Sequence, residues 1–243
     1  MPDSHYTHRR LAALYDLDSP WGPDTDFYVA LAGPSAISIV DFGCGTGTLC
    51  CGFAASDHSV HGIDPAIEML RVARSKPFAE KINWVQSDIE SYRSAERFDL
   101  VTMTGHAFQV LLTDESILAA FETIVEHLRQ DGLVAFESRN PTIDWDLQWC
   151  RSSVWALPEG QVTQTRSDLE QQGELLSFAH EFVFSNETIV SESILRFASL
   201  ERIESLLIKA GLTLVECYGD WNAAPFVAAE SKEMIFIARV ADR

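Results

Sequence analysis

Lysine is scarce in this chain. Only Lys76, Lys81, Lys209 and Lys232 occur among 243 residues, and Lys plus Arg number 18 against 36 Asp plus Glu. The formal net charge is −18. Such a field repels polyanions at long range and no local basic patch opposes it, so no nucleic-acid partner is expected. The acidity leans slightly towards small or cationic substrates, but such a balance is more often a solubility feature. No apolar run approaches the roughly 18 residues of a membrane-spanning helix, so no membrane partner is expected. Met1 to His5 show neither a basic n-region nor an apolar h-region, so no secretory leader is expected. The cysteines, Cys44, Cys50, Cys51, Cys150 and Cys217, are odd in number and form no C-x-x-C. That pattern excludes a disulfide framework and a zinc site, and leaves a cytoplasmic, metal-free protein as the expectation. Repeats and low-complexity segments are absent.

What is present fits a folded α/β protein. Hydrophobic residues make up 47% and the length suffices for one large domain with an insertion. Residues 1–35 read as a helical cap, with Arg9 to Tyr15 amphipathic, a break at Ser19-Pro20-Trp21-Gly22-Pro23-Asp24 and a helix from Asp26 to Ala32. Strands and helices then alternate over 36–140. The strands fall at 36–42, 59–64, 82–87, 98–104 and 133–138, and the helices at 48–56, 66–75 and 115–129. Gln130-Asp131-Gly132 is expected to end the last of these helices. This alternation predicts a doubly wound, mostly parallel sheet. Residues 141–198 break the rhythm and read as a small helical and antiparallel insertion, with segments near 161–167, 174–184 and 187–197. Ser185-Asn186-Glu187 joins the last two. Residues 199–243 supply a helix, 200–210, and two closing strands, 213–218 and 233–240.

The densest signal is Ile39-Val40-Asp41-Phe42-Gly43-Cys44-Gly45-Thr46-Gly47. A buried strand turning sharply into a helix needs residues without Cβ where the backbone bends and where a ligand lies against it. Free N–H groups at such a helix start suit a polar or anionic ligand group. The nicotinamide fingerprint is Gly-x-Gly-x-x-Gly, and here Thr48 occupies the place of its last glycine. Cys50 and Cys51 fall on the following helix as packing residues.

Three further signals follow in order. Gly62-Ile63-Asp64-Pro65 ends the second strand with an acid, which in doubly wound sheets accepts from ribose hydroxyls; the alternative is a turn aspartate. Gln86-Ser87-Asp88-Ile89 follows the third strand, with a carboxylate for an exocyclic amine beside an aliphatic side chain for an adenine face. Phe98-Asp99-Leu100-Val101-Thr102-Met103-Thr104-Gly105-His106 ends at the sheet centre, where ligands sit above the carboxyl ends of strands.

Together these resemble the class I S-adenosylmethionine-dependent methyltransferases, with the match carried by residues 36–140. The resemblance implies a seven-stranded α/β sheet and S-adenosylmethionine as cofactor. It further implies that Asp41, Gly43, Cys44, Gly45 and Gly47 approach the methionine moiety. Asp64 would take the ribose, with Pro65 and Met69 beside the adenosine, and Asp88 and Ile89 would take the adenine. Thr104, Gly105 and His106 would line the route to the sulfonium, and Tyr15 would close the site. Arg129-Gln130-Asp131-Gly132 departs from the family's usual Pro-Gly-Gly turn.

A sulfonium methyl is already electrophilic, so catalysis needs alignment and exclusion of water, and a base only when the acceptor arrives protonated. His106 is the candidate base, or else shapes the pocket. The acceptor is expected to be a small molecule methylated on oxygen or nitrogen, its pocket built by the cap and the insertion; the alternatives are methylation of a protein side chain or a carboxylate, or a non-catalytic domain that senses the nucleoside ligand. Arg139 stands ready to bind a carboxylate or to pair with an acidic side chain. Trp145 and Trp149 share a helix face that packs on the sheet domain or stacks on a ligand, and Tyr218 borders the same pocket. The insertion strands serve as a lid or a dimer contact, leaving monomer and homodimer both open.

Overall fold

The computed structural model describes residues 3–149, 152–158 and 160–241. Met1 and Pro2, part of the stretch read for a leader, and Cys150 lie outside them. Its strands are β1 (Ser38–Phe42), β2 (Ser59–Asp64), β3 (Ile82–Gln86), β4 (Phe98–Met103), β5 (Leu128–Arg139), β6 (Ser152–Leu157), β7 (Gly160–Gln172), β8 (Leu175–Val183), β9 (Thr188–Arg196), β10 (Leu212–Tyr218) and β11 (Glu233–Val240). Seven of them form one sheet in the order β10-β11-β5-β4-β1-β2-β3. Only β11 runs against its neighbours, pairing antiparallel with both β5 and β10. The chain winds outward from β1 through β2 to β3, then returns to β4 and winds the other way. The crevice between β1 and β4 is therefore the topological switch point, above whose carboxyl ends ligands bind in open α/β sheets.

Burial follows position in the sheet. Ile39 and Val40 of β1 and Val101 and Thr102 of β4 are wholly buried, as parallel strands covered on both faces must be. The edge strands β3 and β10 are largely exposed. The helix Asp114–His127 shows how sequence dictates one of the covering layers. Thr113 and Ser116 form a reciprocal capping box, and Ile117, Ala120, Phe121 and Ile124 bury the stripe expected at helical spacing. Phe121 meets Phe108 and Phe136, and Phe136 stacks on Phe236 at 4.8 Å.

Gln130-Asp131-Gly132 does not end a helix. The helix stops at His127, whose Nδ1 bonds Thr123 O at 2.7 Å while Nε2 accepts the Ser94 N–H at 3.1 Å. Residues 128–139 are continuous strand, and the extra length is absorbed as a bulge where Phe98 pairs Leu128 but Leu100 pairs Leu133. Arg129 is held to Asp99 at 2.6 Å, which ties the start of β5 to β4.

The insertion forms its own antiparallel sheet, ordered β6-β7-β8-β9, with β8 and β9 joined across 184–187. The expected segments became β7, β8 and β9; β6, half exposed along its length, was not anticipated. The cap is the helices Ser4–Thr7, Arg9–Ala12, Tyr15–Asp18 and Pro23–Ala32. The last starts earlier than expected because Pro23 is well suited to the first helical turn. The cap lies between the two sheets. Leu11 and Leu14 pack with Val162, Phe182 and Phe184 of the insertion, while Ala12 packs with Ala66 and Met69 beside the glycine turn. Arg10 pairs with Glu187 and sits over the Phe184 ring at 3.7 Å.

Candidate active site

The glycine turn closes on itself. Gly43 and Cys44 both donate to Ile63 O, at 2.8 and 3.0 Å, and Gly45 donates to Asp64 Oδ2 at 2.8 Å. These amides are thus occupied within the protein, so the expected row of free donors is only partly present. Two glycines are dictated by protein neighbours. Gly47 has φ +72°, and a Cβ there would lie 2.4 Å from the Trp84 ring; Gly43 has φ +70°, and a Cβ would lie 2.7 Å from Ala107. Gly45 is different, since a Cβ would meet only the flexible end of Met69 at 3.3 Å.

Asp41 does not open onto the turn's mouth. It is 1% exposed, accepts from Thr102 Oγ1 at 2.7 Å and from the Cys50 thiol at 3.6 Å. Burial pushes its carboxyl up to about 7, against the lowering effect of those two bonds. Cys44 also points inward, its thiol raised to about 11 by burial. Cys50 is fully buried, and Cys51 is half-buried, its thiol also raised by burial, which fits packing residues.

Asp64 combines the turn and ligand roles weighed for it. Its Oδ1 accepts the Ala66 N–H at 2.8 Å and its Oδ2 holds Gly45, yet a carboxylate has about four acceptor sites. Two remain for hydroxyls. Burial raises its pKa and the two amides counter this. Met69 is buried beneath the turn and Pro65 is half-buried beside it. Asp88 is exposed, capping the Ser91 N–H at 2.7 Å, and Ile89 beside it is partly buried.

Across the switch point, Thr104 is partly covered and Gly105 is exposed with φ +65°. A Cβ on Gly105 would stand 3.7 Å from the Tyr15 hydroxyl, so the cap tyrosine reaches the end of β4 as expected. Burial raises Tyr15 to about 12, which keeps it a neutral donor. Asp16 fastens this part of the cap, accepting from Thr46 and pairing with Lys76 at 2.7 Å. His106, also left-handed at φ +61°, lies between two acids. Its N–H donates to Glu137 Oε1 at 2.6 Å and its Nε2 bonds Glu233 Oε2 at 2.8 Å. Burial pushes Glu233 up, but the His106 bond and the charges of His106 and Arg139 bring it below the usual range. Glu137 is raised by burial and also accepts from Tyr28.

Arg139 forms no ion pair within 4 Å among the described residues, contrary to the pairing alternative. It faces Glu233 directly in the β5–β11 register, yet that carboxylate goes to His106. The guanidinium instead donates to Gln109 Oε1 at 2.8 Å and lies 4.6 Å from the centre of the Trp149 ring and 5.7 Å from that of Trp145. The two tryptophans pack on the insertion, not on the large sheet: Trp149 meets Phe178 at 5.3 Å and Phe197 at 5.8 Å. Tyr218 makes no hydrogen bond or ring contact with Arg139 or the two tryptophans among the described residues. It packs on Phe27, next to Trp221.

Glu137, Glu233, Gln109, Tyr6, His5, His180 and Arg166 were not singled out from sequence. Glu137 was legible, since it stands two before Arg139 on a strand and shares its face. The others come from distant segments and only tertiary packing gathers them.

Comparison with known proteins now bears on this arrangement. Residues 39–132, which include the glycine turn, Asp64, Asp88 and His106, match a family model described as a methyltransferase domain. This stretch carries the methyltransferase match, in agreement with the class I S-adenosylmethionine-dependent resemblance of its motifs. It is 33% identical over 101 residues to a putative methyltransferase of Geobacillus sp., a match covering 41% of each protein. It is 25% identical over 209 residues to the cypemycin N-terminal methyltransferase of Streptomyces sp., covering 82% of each. The fold extends over nearly the whole chain. The CcbJ methyltransferase of Streptomyces caelestis superposes with a TM-score of 0.77 at 18% identity, over 94% of this chain and 96% of that one. DesVI of Streptomyces venezuelae gives 0.76 at 19%, over 96% and 98%. No helix among the described residues is long and apolar enough to cross a membrane.

Proposed function

We propose that this protein binds S-adenosylmethionine over the glycine turn and transfers its methyl group to an oxygen or nitrogen of a small molecule. The observation that carries the reading is the convergence of Asp64, Gly45, Gly105 and the Tyr15 hydroxyl around the switch point, under a cap that covers them. S-adenosylmethionine supplies an electrophilic methyl. Asp64 accepts the ribose hydroxyls with its two unused acceptor sites. Pro65 and Met69 lie beside the adenosine, with Asp88 and Ile89 towards the adenine. The exposed edge at Thr104 and Gly105 admits the reacting end. Residues 1–35 and 141–198 wall the acceptor side and exclude water.

His106 receives a proton when the acceptor arrives protonated. Glu233 on Nε2 selects the tautomer with hydrogen there, leaving Nδ1 as acceptor, the logic of a carboxylate-oriented imidazole base. Nitrogen is supported as the target by relatives named as N,N-dimethyltransferases of dTDP-amino sugars, from Streptomyces fradiae and Streptomyces venezuelae. Relatives named as ubiquinone biosynthesis O-methyltransferases, from Rickettsia species, keep oxygen in view. The protein is expected to act in the cytoplasm, as a monomer or homodimer.

Calorimetric titration with S-adenosylmethionine, S-adenosylhomocysteine and NAD tests the reading. Asp64→Asn keeps one carbonyl acceptor for the Gly45 loop but loses the charge. Micromolar binding of the adenosyl ligands, none of NAD, and a loss of roughly tenfold or more in the variant are expected. Failure to bind either adenosyl ligand refutes it. Binding without turnover across a broad acceptor panel would instead favour a nucleoside sensor.

A further inference from the structure

Among the described residues, Arg139 has no carboxylate within 4 Å in a chain carrying 36 of them. Its one hydrogen bond among the described residues is to Gln109, whose own amide donates to Arg196 O at 2.9 Å and so is fixed from behind. Arg139 is partly buried; withdrawing a guanidinium from water without an anion is unfavourable, and that desolvation lowers it to about 10. A second guanidinium, Arg166, lies 4.5 Å from the same Trp149 ring and donates from Nε to His180 Nε2 at 2.6 Å. The neighbouring imidazoles His5 and His180, 5.2 Å apart, are 5% and 6% exposed, and the Nδ1 of each is buried without a partner. Both are held neutral, by burial first and then by the positive charge of Arg166. The open edge of the Arg139 fork and two orphaned ring nitrogens thus leave hydrogen-bonding capacity unmet, beside two guanidinium charges, in one corner of a strongly acidic protein. That corner adjoins Tyr6 and Tyr15, and through Tyr15 the end of β4.

We infer that the methyl acceptor carries an anionic group, a carboxylate or a phosphate, which docks on the Arg139 guanidinium against Trp149. The inference rests on the methyltransferase reading. Arg139 stands two residues beyond Glu137 on one face of β5, and Glu137 accepts the His106 N–H, so the anion would dock on the side of the sheet that carries His106. Gln109 is a positioning residue, fixing one edge of the fork and leaving the other for the ligand.

The probes are matched pairs differing only in the anion: 4-hydroxyphenylacetate with 4-hydroxyphenylethanol, 6-aminohexanoate with hexylamine, and phosphoethanolamine with ethanolamine. Each is titrated calorimetrically into the full chain saturated with S-adenosylhomocysteine. At least one anionic member is expected to bind roughly tenfold or more tighter than its partner. The pair that shows the gap tells carboxylate from phosphate. Arg139→Met should close the gap while S-adenosylhomocysteine affinity stays unchanged, and Arg139→Lys should restore part of it. Equal binding within every pair, or a gap that survives Arg139→Met, overturns the inference. So does a variant that loses S-adenosylhomocysteine itself, which would assign Arg139 to the cofactor's own carboxylate. In each of these cases unimpaired cofactor binding by the parent protein leaves the methyltransferase reading standing.

Discussion

Lowering the pH from about 7 to about 5 should loosen the joint between cap and insertion. His5 lies among the rings of Tyr6, Tyr15, His180 and Phe182, and its ionisation is pulled from 6.5 to about 4 by burial and Arg166. His180 falls to about 3 for the same reasons, with His5 adding to the repulsion. A histidine depressed in the folded state contributes stability above its unfolded value, and loses it as pH falls towards the folded one. Between 6.5 and 5 the unfolded chain takes up a proton that the folded chain refuses, at about 1.4 kcal/mol per pH unit, so each site forfeits about 2 kcal/mol. His5→Phe preserves the ring packing and removes the titration. Its stability relative to the parent, from denaturant midpoints by tryptophan fluorescence, should therefore rise by about 2 kcal/mol on going from pH 7 to 5. Taking the difference between the two proteins cancels the titrating groups that do not interact with His5, while His180, relieved of the His5 charge, adds to the rise. A relative stability that does not move with pH would refute the reasoning, because His5 would then titrate alike in both states.

Asp41 acts in the opposite sense. Raised to about 7, it favours the folded state below its ordinary 3.8 and loses that contribution as pH rises to 7, so Asp41→Asn should flatten the stability profile there by about 4 kcal/mol. An unchanged profile in that variant would count against a buried, neutral Asp41. Asp16→Ala breaks the Lys76 pair that fastens the cap, and S-adenosylhomocysteine should leave roughly fivefold faster in stopped flow, with the effect shrinking in high salt. His106→Ala should lower kcat by about 10²-fold or more with little change in cofactor affinity, and Glu233→Gln should lower it less. Unchanged turnover at saturating acceptor would remove His106 from the chemistry.

The large sheet was readable because its strands are short apolar runs punctuated by glycine, proline and polar turns, and because the cofactor side is local in sequence. The glycine turn, Asp64 and the end of β4 each follow a strand directly. Gln130-Asp131-Gly132 misled because a polar, glycine-containing triplet is a turn signal, whereas the bulge against β4 and the lack of room at Gly132 keep it extended. The acceptor side was less legible. Glu233 meets His106 across 127 residues and His5 meets His180 through a sheet whose alternation was only partly visible. Tyr218 was placed by its nearness in sequence to the last strands, and its ring contact among the described residues is with Phe27 of the cap.

The cap's position also bears on how the molecule is made. Ser4 bonds Ser191 across 187 residues, and the His5 N–H bonds the same hydroxyl at 2.8 Å. Residues 4–18 leave the ribosome early, but the surface they must seat against includes β9, one of the later strands to be synthesised. Closing so long a loop carries a large entropic penalty that the contacts recover only once both sheets exist. The Asp16 end of the cap thus has early partners at the glycine turn, whereas its Ser4–His5 end stays adrift until β9 exists, and the catalytic chamber closes in a late, long-range step. Pulse-labelled hydrogen exchange during refolding should show β1 and β4 protected well before the amides of residues 5–14.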